Sequence, residues 1–282
     1  MNGNKIIAVF LKIAVLLIIF WSGLHLIFVE PFDRGFFCDD ESIKLPFKPH
    51  ETLKFFDALY IILLLPILLV ILSELFYYFV SFQRLPFEEY IWWTTTVKVL
   101  STWFLATSIQ LVIETSTKMM AGRLRPIFID VCRPNVSCDN PRNFGRYVTN
   151  FYCTNEEPQH DLIDLRRSFP SGHASETMLS MAFLIIYLHK RYNSKESIRY
   201  LIICAQLILF LLAIFVGVSR VQDHKHHWSD VIGGFIIGIV VAFIVAKVTR
   251  GLDDLPEYDR EAKKTLINEE NSNRDIDSIC IN

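Results

Sequence analysis

Residues 201–218, LIICAQLILFLLAIFVGV, and residues 231–246, VIGGFIIGIVVAFIVA, are the two cleanest apolar stretches of the chain. A helix crosses the hydrocarbon core of a bilayer with about 20 mainly apolar residues, and both stretches approach that length. Gln206 is the chief polar interruption of the first stretch. Two such stretches in succession predict a helical membrane protein.

Four further apolar blocks extend this pattern to six. The six blocks lie at 6–29, 57–81, 92–115, 174–192, 200–219 and 229–248. The first exceeds the apolar core of a signal peptide, which has about 7–15 residues, and it lacks a clear small-residue cleavage site, so we expect a retained span. We predict an all-α integral membrane protein with six transmembrane helices over 1–250, followed by a polar, flexible cytosolic tail over 251–282.

The composition of the 282 residues agrees with this class. Hydrophobic residues make up 52% and charged residues only 21%, which excludes a disordered, collagen-like or coiled-coil chain. The formal net charge is -2, so the chain as a whole does not indicate a nucleic-acid binder.

The side of the membrane on which each loop lies follows from several signals. With six spans, the loops at 30–56, 116–173 and 219–229 share one side and both termini share the other. The positive-inside rule gives a mixed answer, because the 116–173 loop is Arg-rich while the basic 189–199 loop lies on the opposite side. A glycosylation sequon at Asn135 and four cysteines on the shared side favour the exoplasm, with free thiols and an unused sequon as the alternative. The cysteines allow two disulfides in any of three pairings: Cys38, Cys132, Cys138 and Cys153.

Polar residues with reactive or cationic side chains gather where the spans meet this shared side. Three segments hold them: Lys118 to Pro126 (KMMAGRLRP), Ser168 to His173 (SFPSGH) and Ser219 to Asp230 (SRVQDHKHHWSD). Cations are costly to keep at a membrane surface unless they bind something anionic. We therefore expect one anion-binding site built from all three segments.

Lys118 and Arg125 supply two positive charges to this site. An Arg guanidinium matches phosphate oxygens with a planar fork, while a Lys ammonium acts as a point charge. The alternative for Lys118 is an i,i+4 ion pair with Glu114, and the alternative for Arg125 is contact with lipid headgroups.

Ser171, Gly172 and His173 open the fourth span. Ser171 is a candidate N-cap, Gly172 allows close backbone approach, and the free N–H groups of a first helical turn favour an anion. His173 would then lie beside the anion with a proton to give. An ordinary capped helix start with an interfacial histidine is the alternative.

The third segment carries the sharpest signal. If the sixth helix begins by His226, then His226 and Asp230 share one helical face, and the carboxylate would hold the imidazole in one tautomer. A nucleophilic or general-base histidine needs this orientation. A metal site is the competing interpretation because of the neighbouring histidines, but no H-E-x-x-H motif occurs and the cations would repel a metal ion, so we expect neither a metal nor a cofactor.

In order and spacing, the three segments resemble the signature motifs of the type 2 phosphatidic acid phosphatase superfamily: K-x6-R-P, P-S-G-H and S-R-x5-H-x3-D. Flanking sequences resemble those of its animal lipid phosphate phosphatases, also called phospholipid phosphatases: GRLRP at 122–126, DVCRP at 130–134, RGFFC at 34–38 and KHHWSD at 225–230. The resemblance implies a six-span helical bundle with a magnesium-independent phosphatase site.

The resemblance also implies a role for each matching residue. His226 would attack phosphorus and form a phosphohistidine, Asp230 would orient it, and His173 would protonate the leaving alcohol. The phosphoryl oxygens would be held by Lys118, Arg125, Ser171, Gly172 and Arg220. The expected substrates are lipid phosphomonoesters: phosphatidate, lysophosphatidate, ceramide-1-phosphate and sphingosine-1-phosphate.

Several alternatives remain open at this point. A lipid-diphosphate phosphatase or phosphotransferase would use the same residues, and a non-catalytic lipid-binding membrane protein is a further reading. We expect a multi-pass glycoprotein of the plasma membrane with cytosolic termini, or an endoplasmic reticulum or Golgi protein with a lumenal site. A homo-oligomer is left open. Three arginines either touch a headgroup or solvate the loop: Arg123, Arg166 and Arg167.

Overall fold

The computed structural model describes residues 3–82, 89–138, 140–155, 161–193, 195–249, 252 and 255. Its helices are α1 (Gly3–Leu26), α2 (Phe55–Leu59), α3 (Leu65–Phe82), α4 (Glu89–Ala121), α5 (Phe128–Cys132), α6 (Gly172–Tyr192), α7 (Arg199–Gln222) and α8 (Trp228–Val248). A π-helical segment at Tyr60–Leu64 joins α2 to α3. A two-stranded antiparallel sheet pairs β1 (Phe36–Phe37) with β2 (Tyr147–Val148).

A helix lies at each of the six apolar blocks, which confirms the predicted all-α membrane fold. Within the part of the chain that the structure describes, four stretches are long and apolar enough to cross a bilayer: Phe56–Phe79, Trp92–Ala121, Glu196–Gln222 and Trp228–Val248. Within α1, Ile13–Leu26 is a shorter apolar stretch. Apolar side chains of α7 and α8 face outward, including Ile208 and Ile236. A lipid environment accommodates such an apolar surface, while the helices satisfy their own backbone hydrogen bonds.

Helix α6 is the central element of the bundle. It packs against α4, α7 and α8, and it buries polar side chains such as Ser175, Thr177 and Ser180 among them. Because its neighbours cover it, α6 needs less apolar surface than the outer helices. This enclosure explains how α6 accommodates polar side chains in its first half.

Some predicted boundaries differ from the observed ones. Helix α1 ends at Leu26 rather than at 29, α4 continues to Ala121 beyond the apolar block, and α6 begins at Gly172 rather than 174. Hydropathy locates the part of a helix that suits the bilayer, whereas capping decides where the backbone stops being helical. The predicted tail lies outside the described residues, apart from Leu252 and Leu255.

Two glycines of α8 let it approach α6 closely. A Cβ atom on Gly234 would lie 2.8 Å from the carbonyl oxygen of Ser171, and one on Gly238 would lie 2.5 Å from that of Ser175. Small residues four apart permit this kind of helix contact in membranes. The approach places the start of α6 beside the start of α8, where the backbone N–H of Ser171 donates to the carbonyl of Asp230 at 3.1 Å.

Loops between the helices form a layer at one end of the bundle. This loop layer comprises 27–54, 122–138, 140–155 and 161–171, and it contains the β1–β2 sheet, α5 and a buried cluster around Phe36, Phe128 and Leu165. Of the three possible cysteine pairings, the structure has Cys38–Cys138 and Cys132–Cys153. The Cys38–Cys138 bridge ties the first loop to the long loop that precedes α6, and the Cys132–Cys153 bridge lies within that long loop.

Candidate active site

His226 lies in the short connection between α7 and α8 and is almost fully buried. Its Nδ1 is 2.7 Å from the carbonyl oxygen of Ser168. A carbonyl oxygen only accepts hydrogen bonds, so Nδ1 carries the proton and Nε2 keeps its lone pair. The ring is therefore held in the tautomer that a nucleophilic Nε2 requires.

Asp230 lies beside His226, but the predicted shared helical face is not observed. Asp230 Oδ2 lies 3.9 Å from His226 Nδ1, too far for a hydrogen bond. The cause is the start of α8 at Trp228, which leaves His226 outside the helix. His227 is the N-cap instead, and its backbone N–H and its Nδ1 lie 2.8 Å and 2.9 Å from Asp230 Oδ2.

Asp230 is fully buried and collects donors from several segments. Besides the two groups of His227, its Oδ2 accepts a hydrogen bond from the Ser168 hydroxyl at 2.6 Å. Its Oδ1 accepts one from Arg123 NH1 at 2.6 Å, and Arg123 also donates to Ser229. Arg123, whose role the sequence left open, is thus a partner of Asp230.

Arg125 and Arg220 are buried beside the connection that carries His226. Arg125 donates to the carbonyl of Lys225 at 3.1 Å and pairs with Asp164, its NH2 lying 2.7 Å from a carboxylate oxygen. Arg220 pairs with Asp223 at 3.0 Å and with Glu51 of the first loop. Both expected phosphate-binding arginines therefore have carboxylate partners that the sequence analysis did not identify.

The first loop contacts the α7–α8 connection, and no sequence pattern predicted this contact. Glu51 lies 3.2 Å from Arg220 NH1 and 3.0 Å from Lys225 Nζ. Thr52 donates its backbone N–H and its hydroxyl to Asp223. Burial raises the pKa of Glu51, but the hydrogen bond and charge of Lys225 and the charge of Arg220 outweigh it, so the pKa lies below its usual value.

Lys118, in the last turn of α4, forms the ion pair with Glu114 that was considered as the alternative for it, with 2.6 Å between Nζ and Oε1. A Cβ atom on Gly172 would lie 3.0 Å from Lys118 Nζ and 2.3 Å from the Glu114 oxygen. The absence of a side chain at Gly172 thus brings the ammonium against the first turn of α6. An ammonium has three hydrogens, so the pair with Glu114 is compatible with anion binding.

Ser171 stands at the N-cap position of α6 with an extended backbone, but its side chain makes no capping hydrogen bond. Ser171 therefore occupies the predicted N-cap position, but the hydrogen bond expected from its side chain to the helix backbone is not formed. Its hydroxyl is fully buried and has no hydrogen-bond partner among the described residues. A buried hydroxyl without a partner is costly, and here it lies beside the unpaired N–H groups of a helix start. Both features suit a bound anion.

His173 lies in the first turn of α6, before the apolar block 174–192, and the same cations lie near it. Its pKa is lowered to about 3, first by burial of the imidazole and then by repulsion from the charge of Arg220, from His226 when that ring is protonated, and from the charges of Lys118 and Arg125. The pKa of His226 is lowered to about 4, mainly by burial and by the charge of Arg125, while Asp230 opposes the shift. With these lowered pKa values, both rings are neutral near pH 7. Direct contacts bring the three segments together, since Arg125 donates to the carbonyl of Lys225 and the Ser171 N–H donates to the carbonyl of Asp230.

The remaining predicted residues lie in the loop layer. Asn135 is exposed, and its Oδ1 accepts a hydrogen bond from the backbone of Tyr152. Arg166 pairs with Asp33, and Arg167 donates to the carbonyls of Ile27 and Val29, so both bind the first loop. Across the described part of the chain, no three His, Cys, Asp or Glu side chains are grouped as a metal site would require.

Comparisons with known proteins add independent information. The family model described as the PAP2 superfamily matches residues 95–253, more than half of the chain and the part that holds all three segments. No solved structure matches the chain.

Several curated proteins are similar over most of their length. The chain is 35% identical to phospholipid phosphatase 1 of Rattus norvegicus over 235 residues, which cover 83% of this chain and 81% of that protein. It is 35% identical to phospholipid phosphatase 2 of Mus musculus over 219 residues, covering 77% and 76%. The corresponding Homo sapiens protein is 34% identical over 214 residues, covering 75% and 72%. With the family model, these similarities show that the chain belongs to the PAP2 superfamily.

Proposed function

We propose that this protein is a lipid phosphatase that hydrolyses lipid phosphomonoesters through a phosphohistidine on His226. The observation that carries the proposal is the hydrogen bond from His226 Nδ1 to the Ser168 carbonyl, because it leaves Nε2 unprotonated and nucleophilic. The names of the similar proteins, phospholipid phosphatases, support the lipid phosphatase activity.

The reaction has two displacements at phosphorus. In the first, the lone pair of His226 Nε2 forms the N–P bond while the bond from phosphorus to the lipid oxygen breaks. In the second, a water oxygen attacks phosphorus, the N–P bond breaks and its electron pair returns to Nε2. The Nδ1 proton remains on the ring throughout, and the nearby Asp230 carboxylate stabilises the positive charge that the ring gains.

His173 is the proposed acid for the leaving lipid oxygen, although its lowered pKa makes the ring neutral near pH 7 before substrate binds. A phosphoryl group brings negative charge into the space between the cations, and this raises the pKa of His173. Substrate binding therefore favours the protonated ring that the first step needs. In the second step the neutral ring accepts a proton from the attacking water.

Phosphoryl oxygens are bound by Lys118, Arg125, Arg220, the Ser171 hydroxyl and the N–H groups that follow it. Phosphoryl transfer depends mainly on positioning and charge stabilisation, and these fixed cations supply both. Catalysis is therefore proposed to be independent of magnesium. Hydrolysis in the presence of a chelator should equal hydrolysis without it, and inhibition by the chelator would contradict this point.

A lipid substrate suits the position of the site. The reactive residues lie where α4, α6, α7 and α8 meet the loop layer, directly beside apolar helix surfaces. The phosphate of a membrane lipid reaches this level while its acyl chains stay in the bilayer. Phosphatidate, lysophosphatidate, ceramide-1-phosphate and sphingosine-1-phosphate all meet this condition.

The proposed topology places the loop layer outside the cytosol, at the plasma membrane, with both termini cytosolic. Support comes from the two disulfides, which form in oxidising compartments, and from the exposed sequon at Asn135 in the same layer.

The test of the activity compares purified wild type with His226→Ala and with a control, His50→Ala, in which an exposed loop histidine is removed. We expect wild type and the control to release phosphate from a micellar lipid phosphate, and His226→Ala to release none above background. Activity retained in His226→Ala would contradict the proposal.

A further inference from the structure

Ser168 is a fully buried residue of the second segment that contacts the first and third segments of the site. Its backbone N–H donates to the carbonyl of Arg123 at 3.0 Å. Its own carbonyl accepts the Nδ1 proton of His226 at 2.7 Å, and its hydroxyl donates to Asp230 Oδ2 at 2.6 Å. One residue thus connects the first segment, the nucleophile and the carboxylate.

These contacts close a ring of hydrogen bonds. Arg123 binds the Ser168 backbone through its carbonyl and Asp230 through its guanidinium, and Ser168 binds Asp230 through its hydroxyl. The His226 imidazole is attached to this ring at the Ser168 carbonyl. Because Asp230 Oδ2 is 3.9 Å from Nδ1, the carboxylate has no hydrogen bond of its own to the imidazole.

We propose that Ser168 is a positioning residue for the nucleophile, an inference that rests on the proposed function of His226. Its hydroxyl holds the carboxylate, and the same residue's carbonyl aims the imidazole so that Nε2 faces the phosphoryl site. When Nε2 attacks phosphorus, the imidazole becomes positively charged. The hydrogen bond from its Nδ1–H to the Ser168 carbonyl then becomes stronger. The carbonyl and the carboxylate must then both stay in place, and the hydroxyl couples their positions.

Removal of the hydroxyl tests this coupling without dismantling the site. In Ser168→Ala the carbonyl is still present, and Asp230 keeps its bonds to Arg123 and to the His227 backbone and side chain. Ser168→Cys keeps nearly the original volume with a weak donor, so it removes the hydroxyl bond without a cavity. None of the phosphate-binding cations is bonded to the Ser168 side chain in the contacts described above.

Ser180→Ala is the matched control. Ser180 is a fully buried serine of α6 whose hydroxyl accepts from Trp103 and donates to the carbonyl of Ile62, away from the three segments. Each full-length variant is purified in detergent, and kcat, KM and the thermal midpoint are measured with one lipid phosphate.

We expect kcat of Ser168→Ala and Ser168→Cys to fall by about tenfold to a hundredfold, as when a hydrogen-bond partner of a metal-bound histidine is removed. KM should change by less than about threefold, because substrate binding uses other groups. Ser180→Ala should keep the wild-type kcat even if its thermal midpoint falls as far as that of Ser168→Ala.

Three results would overturn the inference: a kcat of Ser168→Ala within about twofold of wild type, a rise in KM alone, or an equal loss of kcat in Ser180→Ala. A parallel His226→Ala sample separates the two proposals. If it is inactive while Ser168→Ala is unimpaired, only the role of Ser168 is rejected. If it is active, the proposed function fails and the role of Ser168 fails with it.

Discussion

At the scale of single residues, His226 and His173 combine burial with nearby positive charge. Both effects disfavour the imidazolium, and they hold the pKa of His226 near 4 and that of His173 near 3. A histidine in water has a pKa near 6.5 and is partly protonated at mildly acidic pH. The site therefore keeps its nucleophile available where an ordinary histidine would already lose its lone pair.

The protonation state of His226 is the first prediction. In a titration of nitrogen-15-labelled histidines followed by NMR, the resonance that is lost in His226→Gln should show a neutral imidazole from neutral pH down to about pH 5. The same depressed pKa makes the unfolded chain bind more protons, so stability should fall as pH drops from about 6.5 toward 4. A titration midpoint near pH 6.5 for His226 would show that burial and the charge of Arg125 do not lower its pKa.

At the scale of elements, the first loop is part of the site although it carries none of the three sequence segments. Its residues 42–53 contact the α7–α8 connection through Glu51, Thr52 and several backbone carbonyls. Glu51 is the only described carboxylate of this loop that contacts two buried cations, Arg220 and Lys225. Its negative charge lowers the cost of keeping them out of water.

Replacement of Glu51 by Gln is therefore expected to lower the free energy of unfolding by about 1.5–3 kcal/mol, the range for hydrogen bonds to charged groups. Because the pKa of Glu51 is lowered in the folded protein, the stabilisation should be present above the usual carboxyl pKa and lost as pH falls below it. Denaturation midpoints in detergent measure both effects.

Glu41→Gln is the control for this substitution, since Glu41 pairs with Lys44 in the same loop but is largely exposed. It should change stability little. Equal midpoints for Glu51→Gln and wild type at neutral pH would show that the ion pairs do not stabilise the loop.

Sequence patterns predict the helix bundle well because hydropathy is a property of whole segments. The order of the predicted spans also predicts that the three motifs lie at the same end of the bundle. Finer geometry depends on single capping residues. The spacing of His226 and Asp230 predicts a shared helical face, but His227 caps α8 and leaves His226 outside it. The contact of Glu51 with Arg220 joins residues 169 positions apart, and no periodicity in the sequence indicates such a pair.

At the scale of the whole molecule, the disulfides, the sequon and the reactive residues lie at the same end of the bundle. This arrangement predicts that a glycan, if attached at Asn135, shares its compartment with the site. Glycosidase treatment of membranes from expressing cells should shift the wild-type band and leave Asn135→Gln unshifted. Modification of the 116–173 loop by a cytosolic labelling enzyme in intact cells would contradict the proposed topology.

The central claim is that phosphate passes through a covalent bond to His226, and trapping that bond tests it most directly. Purified wild type would be mixed with a lipid phosphate carrying radioactive phosphorus, quenched rapidly in alkali, which preserves phosphohistidine, and digested for peptide mapping. We predict label on the peptide that contains His226 and no label in His226→Ala. Label on another residue, or turnover without any trapped label, would contradict the account.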